Sequence, residues 1–322
     1  MTSPRRMSAL DAVRAALLVV VLIAVAVALW RNWAAISSQL WQLDLRVIGG
    51  ALVLGLIPPV LTMLGWRVLL ADLGTRLPLP PAASIYFVGQ LGKYVPGSVW
   101  TVVMQTEMGH RLRVPRRQMA TAGLVMLALS VLGGAVVALP AVPLLLTESD
   151  TTMSAGWGAL AALVALLLLV VLWPTVLNAL IARGLRMLRR EPLEHDLSGA
   201  AIARCMACII ASWVGTGASV LLLAAALAPD DPGSLVLVCI SGFALASVAG
   251  MVAVLLPAGV GVREGILFLL LTSVMSPAAA TAVVVLTRFL SVLADVLWAA
   301  AGWLWARAHH LLPAGGRGAV GG

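Results

Sequence analysis

Apolar residues run along this chain in blocks. Six of them, at 12–30, 47–66, 119–146, 157–181, 207–227 and 280–305, approach or exceed the roughly 20 residues that a helix needs to cross a bilayer core. None shows the period-two alternation of a barrel strand. The pattern predicts an all-α, polytopic integral membrane protein with six transmembrane helices.

Two more apolar regions are broken at their centres. Residues 82–105 contain Gly89-Gln-Leu-Gly-Lys-Tyr-Val-Pro-Gly-Ser-Val-Trp100, and residues 234–276 contain Leu255-Leu-Pro-Ala-Gly-Val-Gly-Val-Arg-Glu264. Proline removes a helix donor and glycine weakens a helix interior, so each region reads as two short helices joined at a tip. The breaking residues are Gly89, Pro96 and Gly97 in the first region and Pro257, Gly259 and Gly261 in the second. Irregular backbone at membrane depth is tolerated where protein or a wet cavity surrounds it.

Charge decides how the blocks are threaded. Arg67 and Arg76, then Arg111, Arg113, Arg116 and Arg117, then Arg183, Arg186, Arg189, Arg190 and Arg204 gather beside spans, whereas Glu148, Asp150 and the Asp230-Asp231 turn stand at opposite ends. The positive-inside rule puts the basic loops in the cytoplasm. Both flanks of 82–105 are then cytoplasmic and both flanks of 234–276 external, so each region enters and returns; the alternative for the second region is two full spans at 234–256 and 264–276, for which the 13 residues of the latter are short. The expected order is span, span, re-entrant hairpin, span, repeated once as an inverted repeat.

The expected divisions are a cytoplasmic N-terminus 1–11, a first membrane repeat 12–150, a second membrane repeat 151–306 and a cytoplasmic flexible tail 307–322. The basic residues Arg5, Arg6 and Arg14 precede the uncharged stretch Leu17 to Trp30, but no small-residue cleavage site follows it, so it reads as a retained helix. Inverted repeats broken at matching positions point to a transport site near the midplane.

Composition removes several classes. With 61% hydrophobic and 11% charged residues and a mean hydropathy of +1.05, the chain is unlike a soluble domain, where about a quarter of residues are charged. The net charge of +8 sits in short loops beside apolar runs, so it does not signal nucleic acid. Cys205 and Cys208 have no second pair and no nearby histidine, so they read as apolar thiols, and neither metal nor cofactor is expected. His110, His195, His309 and His310 fall in loops or the tail, and no Gly-x-x-x-x-Gly-Lys-Ser/Thr occurs. Neither Ser/His/Asp catalysis nor ATP-driven pumping by this chain is expected.

Polar side chains within the broken regions carry the candidate chemistry. Tyr86, Gln90 and Lys93 recur at i, i+4 and i+7, and Ser98, Thr101 and Gln105 at i, i+3 and i+7, giving each arm one polar stripe. Such stripes either cap and bond the helices to one another or line a cavity. Lys93 is the single lysine among 21 basic residues. Glu264 suits a helix N-terminus; Arg263 opposes the dipole there and calls for a partner, either Glu264, Asp295 or an anionic ligand. In the last span Thr281, Arg288, Ser291 and Asp295 share one face. Converging, Lys93, Arg263, Glu264, Arg288 and Asp295 would hold three positive and two negative charges, a balance suited to a phosphate or carboxylate.

The pairing of Gly-x-x-x-Lys-Tyr-x-Pro-Gly (Gly89 to Gly97) with Leu-Pro-Ala-Gly-Val-Gly-Val-Arg-Glu (Leu256 to Glu264), together with Arg288, resembles the lysylphosphatidylglycerol synthase transmembrane-region family. That family is the flippase-like membrane part of bacterial aminoacyl-phospholipid synthases and also occurs as stand-alone proteins. Ala258 stands where a second glycine is usual. The soluble domain that makes aminoacyl lipids is absent from this chain, so the resemblance implies lipid translocation in a bacterial plasma membrane and does not imply synthesis.

The implied substrate is an anionic or aminoacylated phospholipid or a lipid-linked glycan. Lys93, Arg263 and Arg288 would hold the head group, Glu264 and Asp295 would balance charge, and Tyr86, Gln90, Tyr94, Ser98, Thr101 and Gln105 would complete the site. The rivals are a membrane-embedded enzyme acting on polyprenyl-phosphate sugars, for which Asp230-Asp231 is the candidate acidic pair, and a non-transporting membrane partner of a lipid-modifying enzyme. Expected partners are membrane lipids, with a separate lipid-modifying enzyme or glycosyltransferase and a second copy of the chain as further candidates.

Overall fold

Helix ends in the computed structural model follow local chemistry. The structure describes residues 30, 33–94, 100–145, 163–164, 166–168, 170–187, 196–227, 232–252 and 261–308. Helix α1 spans Trp33–Gln42 and α2 Leu45–Asp72, the latter opened by Asp44, whose carboxylate accepts from the Arg46 N–H at 2.9 Å. This is the expected fate of an orphan donor in a first turn. Helix α3, Leu79–Gln90, has proline in its first turn and continues as a tight turn over Leu91–Tyr94. Helix α4, Trp100–Arg111, and α5, Arg116–Ala138, follow.

Helix α6 is Pro174–Met187 and α7 Gly199–Ala225; Ser198 caps α7 by accepting from the Ala201 N–H. Helix α8, Pro232–Leu237, runs through a π turn at Val238–Gly242 into α9, Phe243–Val252. Helices α10, Val262–Leu271, and α11, Pro277–Ala308, close the chain. No strand occurs among the described residues.

Five helices are long and apolar enough to cross a membrane: Leu45–Asp72, Arg116–Val142, Gly199–Ala225, Gly233–Val252 and Pro277–Ala308. A sixth forms if Leu166–Leu172 and Pro174–Gly184, bent by 72°, count as one span. The all-helical, multi-pass architecture expected from the apolar blocks is therefore present. Two details are added. The expected span 157–181 is bent at Trp173, because Pro174 has no N–H to continue the ladder and starts a new helix instead. The helix Gly233–Val252 covers most of the run 234–256 and has 20 residues, about 30 Å at 1.5 Å per residue, long enough for the full-span alternative there. Its successor α10 has 10 residues and does not reach across. Most of the expected first span, the N-terminus, the tail from 309 and the acidic turns Glu148, Asp150 and Asp230-Asp231 lie outside the described residues.

Helix α2 packs along α7 for most of its length. Small residues permit this: a Cβ on Gly65 would lie 3.3 Å from the Cys205 sulfur, and one on Gly215 would lie 3.4 Å from the Pro58 ring. Close backbone approach is how membrane helices gain packing when lipid is as apolar as their side chains. Hydroxyls add cross-links, with Ser219 Oγ donating to Ala51 O at 2.7 Å and Ser212 Oγ to Pro58 O at 3.3 Å. Cys205 is buried against Met126, with the sulfurs 3.7 Å apart.

The described basic loops meet at one end of the molecule. Arg67 Nε donates to Leu77 O at 2.8 Å, Thr75 bonds Gln118, and Asn178 clamps both backbone groups of Leu197. Asp72 ties this end together by accepting from the Ser198 N–H and hydroxyl, each at 2.8 Å. Because this clamp is solvent-accessible, Asp72→Ala is expected to cost about 1 kcal/mol and to lower the thermal midpoint in detergent by a few degrees. An unchanged midpoint would mean that solvent supplies those bonds equally well.

Candidate functional site

Helices α2, α3, α4, α5, α7, α9, α10 and α11 enclose a cavity of about 400 Å³, within the size range of small-ligand sites. The two polar stripes of the first broken region meet there. Tyr86, Gln90, Lys93 and Tyr94 line it from α3 and its terminal turn, and Thr101 and Gln105 line it from α4. Glycine makes the meeting possible. A Cβ on Gly89 would come within 2.4 Å of the Gln105 side chain, and one on Gly92 within 2.6 Å of the Thr101 backbone nitrogen.

The charges of the cavity are paired across elements far apart in sequence. Asp295 is 8% exposed, and its Oδ2 accepts from the Tyr94 hydroxyl at 2.6 Å and faces Lys93 Nζ at 2.7 Å. The Lys93-Tyr94 dipeptide thus grips one carboxylate oxygen of α11. Arg288 Nη1 lies 3.6 Å from Glu264 Oε1, a charge contact too long for a hydrogen bond. Glu264 uses Oε2 to accept from the Gly261 N–H at 2.8 Å, which satisfies a backbone donor at the start of α10. Gly261 has φ +87°, a left-handed conformation that glycine adopts without steric cost.

Arg263 is placed differently. Its guanidinium lies over the Phe243 ring, 4.7 Å from the centroid, and no carboxylate comes within ion-pair distance of it among the described residues. Of the alternatives open to Arg263 from sequence, Glu264 is committed to Arg288 and the Gly261 N–H, and Asp295 to Lys93 and Tyr94. The site therefore carries one cation in excess, held on an aromatic face.

Arg263, Arg288, Ser291 and Asp295 line the cavity. Glu264 does not line it and acts through Arg288 and the α10 cap. Thr281 turns back to Pro277 O and lies outside it. Ser98, Pro96, Gly97, Pro257 and Gly259 fall outside the described residues.

Sequence reasoning missed one wall. Helix α2 contributes Pro58, Pro59, Thr62 and Trp66, and α7 contributes Ser212, Thr216 and Ser219. The α7 hydroxyls recur at i, i+4 and i+7, the same signal that marked the broken regions, and two adjacent prolines inside an apolar run were equally visible. Nothing in the sequence distinguishes Trp66 from Trp33 and Trp41, which are exposed.

A family model described as lysylphosphatidylglycerol synthase TM region matches residues 14–299 of the 322. The chain belongs to this family. No curated protein matches the sequence. Membership covers every element that lines the cavity, and it points to a multi-pass membrane protein with a lipid-related function.

Proposed function

We propose that this member of the lysylphosphatidylglycerol synthase TM region family is a lipid translocase. It moves an anionic or aminoacylated phospholipid or a lipid-linked glycan between leaflets and has no catalytic role. The observation that carries the reading is Arg263: a cation over an aromatic face, with no carboxylate at ion-pair distance among the described residues, in a cavity lined by five membrane-length helices together with the shorter α3, α4 and α10. An intramembrane charge is costly and marks a ligand path when its own protein does not neutralise it. A phosphate or carboxylate head group completes the balance, with Arg288 and Lys93 at hand to share it as their own ion pairs loosen.

The packing supports an inverted repeat of the transporter kind. Helix α2 lies against α7, its counterpart in the second half. Helix α3 lies against α11 as α9 lies against α5, and α4 lies against α5 as α10 lies against α11. Both α3–α11 and α5–α9 close through a glycine: a Cβ on Gly302 would meet Ser84 at 3.3 Å, and one on Gly134 would meet Val248 at 2.6 Å. In this reading α3 and α4, of 12 residues each, are the arms of a re-entrant hairpin. The shared end of the basic loops is cytoplasmic, in a bacterial plasma membrane. Membrane lipids are the partners, supplied by a separate lipid-modifying enzyme or glycosyltransferase.

The test is movement of head-group-labelled lipid in proteoliposomes, scored by the fraction a membrane-impermeant quencher reaches with time. Wild type is expected to move labelled anionic phospholipid. Arg263→Gln is expected to move it about tenfold more slowly or worse, since a hydrogen bond to a charged group contributes about 1.5–3 kcal/mol. No movement by wild type against empty liposomes, or equal rates for the two proteins, would sink the reading.

A further inference from the structure

The two carboxylate oxygens of Asp295 meet different surroundings. Oδ2 takes both donors, the Tyr94 hydroxyl at 2.6 Å and Lys93 Nζ at 2.7 Å, while no hydrogen bond reaches Oδ1 among the described residues. Asp295 also lines the cavity. A proton brought by cavity water can settle on Oδ1 and leave the Tyr94 bond to Oδ2 in place. Its arrival removes the charge that holds Lys93, the more exposed member of the pair. The ammonium is then released to the cavity.

The other carboxylate is closed to this use. Glu264 stands outside the cavity, with Oε2 taken by the Gly261 N–H and Oε1 sealed from solvent beside Arg288. Facing Asp295 are Tyr86, Lys93 and Tyr94 from α3 and its terminal turn, Arg263 and Glu264 from α10, and Arg288 from its own helix. Helices α1, α2 and α7 also pack on α11 and bring no acid, base or tyrosine to the cavity. Asp295 is thus the one carboxylate on the cavity wall among the described residues.

We propose that Asp295 is a proton site coupled to the anion: a head group that takes Lys93 drives a proton onto Asp295 Oδ1, and the two cross together. The inference rests on the anionic-lipid reading above and adds its coupling ion. When Lys93 turns to a phosphate, Asp295 is left as a lone carboxylate in a desolvated site, and stranding one partner of such a pair is strongly unfavourable. The proton removes that penalty. It leaves water, forms an O–H bond at Oδ1 and yields a neutral carboxyl whose Oδ2 still accepts from Tyr94. Before binding, Lys93, Arg263 and Arg288 against Glu264 and Asp295 leave one positive charge. A monoanionic head group and a proton entering together leave the same charge. The cargo is neutral, so the membrane potential does not oppose its passage.

The purified full-length protein is titrated with acyl-labelled phosphatidylglycerol at a series of pH values, and protons taken up are counted with an indicator in weak buffer. The phosphodiester stays ionised throughout, so any proton belongs to the protein. Uptake of one proton per lipid makes binding stronger in acid, and affinity is expected to fall about tenfold for each unit of rising pH. Asp295→Asn, which has the shape of the protonated acid, is expected to lose this slope, and Lys93→Met to bind more weakly without proton uptake. Glu264→Gln is expected to change the affinity and keep the slope. Infrared difference spectra of wild type with isotope-labelled aspartate are expected to gain a labelled protonated-carboxyl band on binding, a readout that does not depend on any variant folding. In proteoliposomes held at zero membrane potential, a pH gradient is expected to drive labelled lipid toward the alkaline side.

Binding by wild type that ignores pH, or that gains no aspartic acid band, overturns the proton site and leaves the anion reading standing. A slope that survives Asp295→Asn and Lys93→Met, or is lost only in Glu264→Gln, puts the proton on another group and overturns it as well. Lipid movement indifferent to the pH gradient overturns the joint passage. Absence of any lipid binding by wild type removes the proton site and the anion reading together.

Discussion

Gly92→Val is expected to force apart the two arms of the first broken region and to abolish lipid movement. A Cβ at this position would sit 2.6 Å from the Thr101 nitrogen, 2.7 Å from the Trp100 carbonyl carbon and 2.8 Å from the Thr101 Cα. These are backbone atoms, so no rotamer change relieves the overlap. Overpacking typically costs 1–3 kcal/mol and more where backbone must move; at about 3 kcal/mol the thermal midpoint falls by roughly 6–12 °C. Gly265→Ala is the control, because a Cβ there meets nothing within 4 Å and alanine is favoured over glycine inside a helix by about 0.8–1.0 kcal/mol. Opposite shifts of the two midpoints in detergent are the expected result; a harmless Gly92→Val would refute the close approach.

The second large effect is expected at Asp295. Asp295→Ala strands the Lys93 ammonium and the Tyr94 hydroxyl, which now share its Oδ2. Lys93 keeps a side-chain exposure of 39% against 9% for Asp295, so water moderates the loss; a destabilisation of about 2 kcal/mol and a collapse of transport are expected. Removing both charges in Lys93→Met with Asp295→Leu should recover much of the stability, because paired charges in a desolvated site are often replaceable by apolar groups. It should not recover transport. Coupling of about 1–3 kcal/mol in the double-mutant cycle identifies the pair as real, whereas additive effects would show that Lys93 has another partner.

The helical class, the spans near α2, α5, α7 and α11 and the polar stripes of α3 and α4 were legible from residue order, because each rests on local periodicity and length. Glycine at Gly261 was legible for the same reason: a chain entering α10 at φ +87° requires it. Glu264 was recognised as suited to a helix start, and there it accepts from the Gly261 N–H. Its distance from the cavity was not legible, since a residue three positions into a helix can serve the cap or the ligand, and only the turn of the chain before it decides. The bend at Trp173 escaped a reading built on loop charge, which reports the ends of segments and not the course between them.

By itself the sequence determined that this is a multi-pass helical membrane protein whose unusual chemistry lies in two broken regions and the last span. Such facts follow from hydropathy, helix periodicity and the behaviour of proline and glycine, which act over a few residues at a time. The tertiary structure decided which charges neutralise one another. Lys93 and Asp295 stand on elements some 200 positions apart, and their pairing depends on the register between α3 and α11, set by the Ser84–Gly302 contact. Helix spacing tells which side chains share a face; only packing tells which face they meet, and that is what leaves Arg263 as the cation in excess.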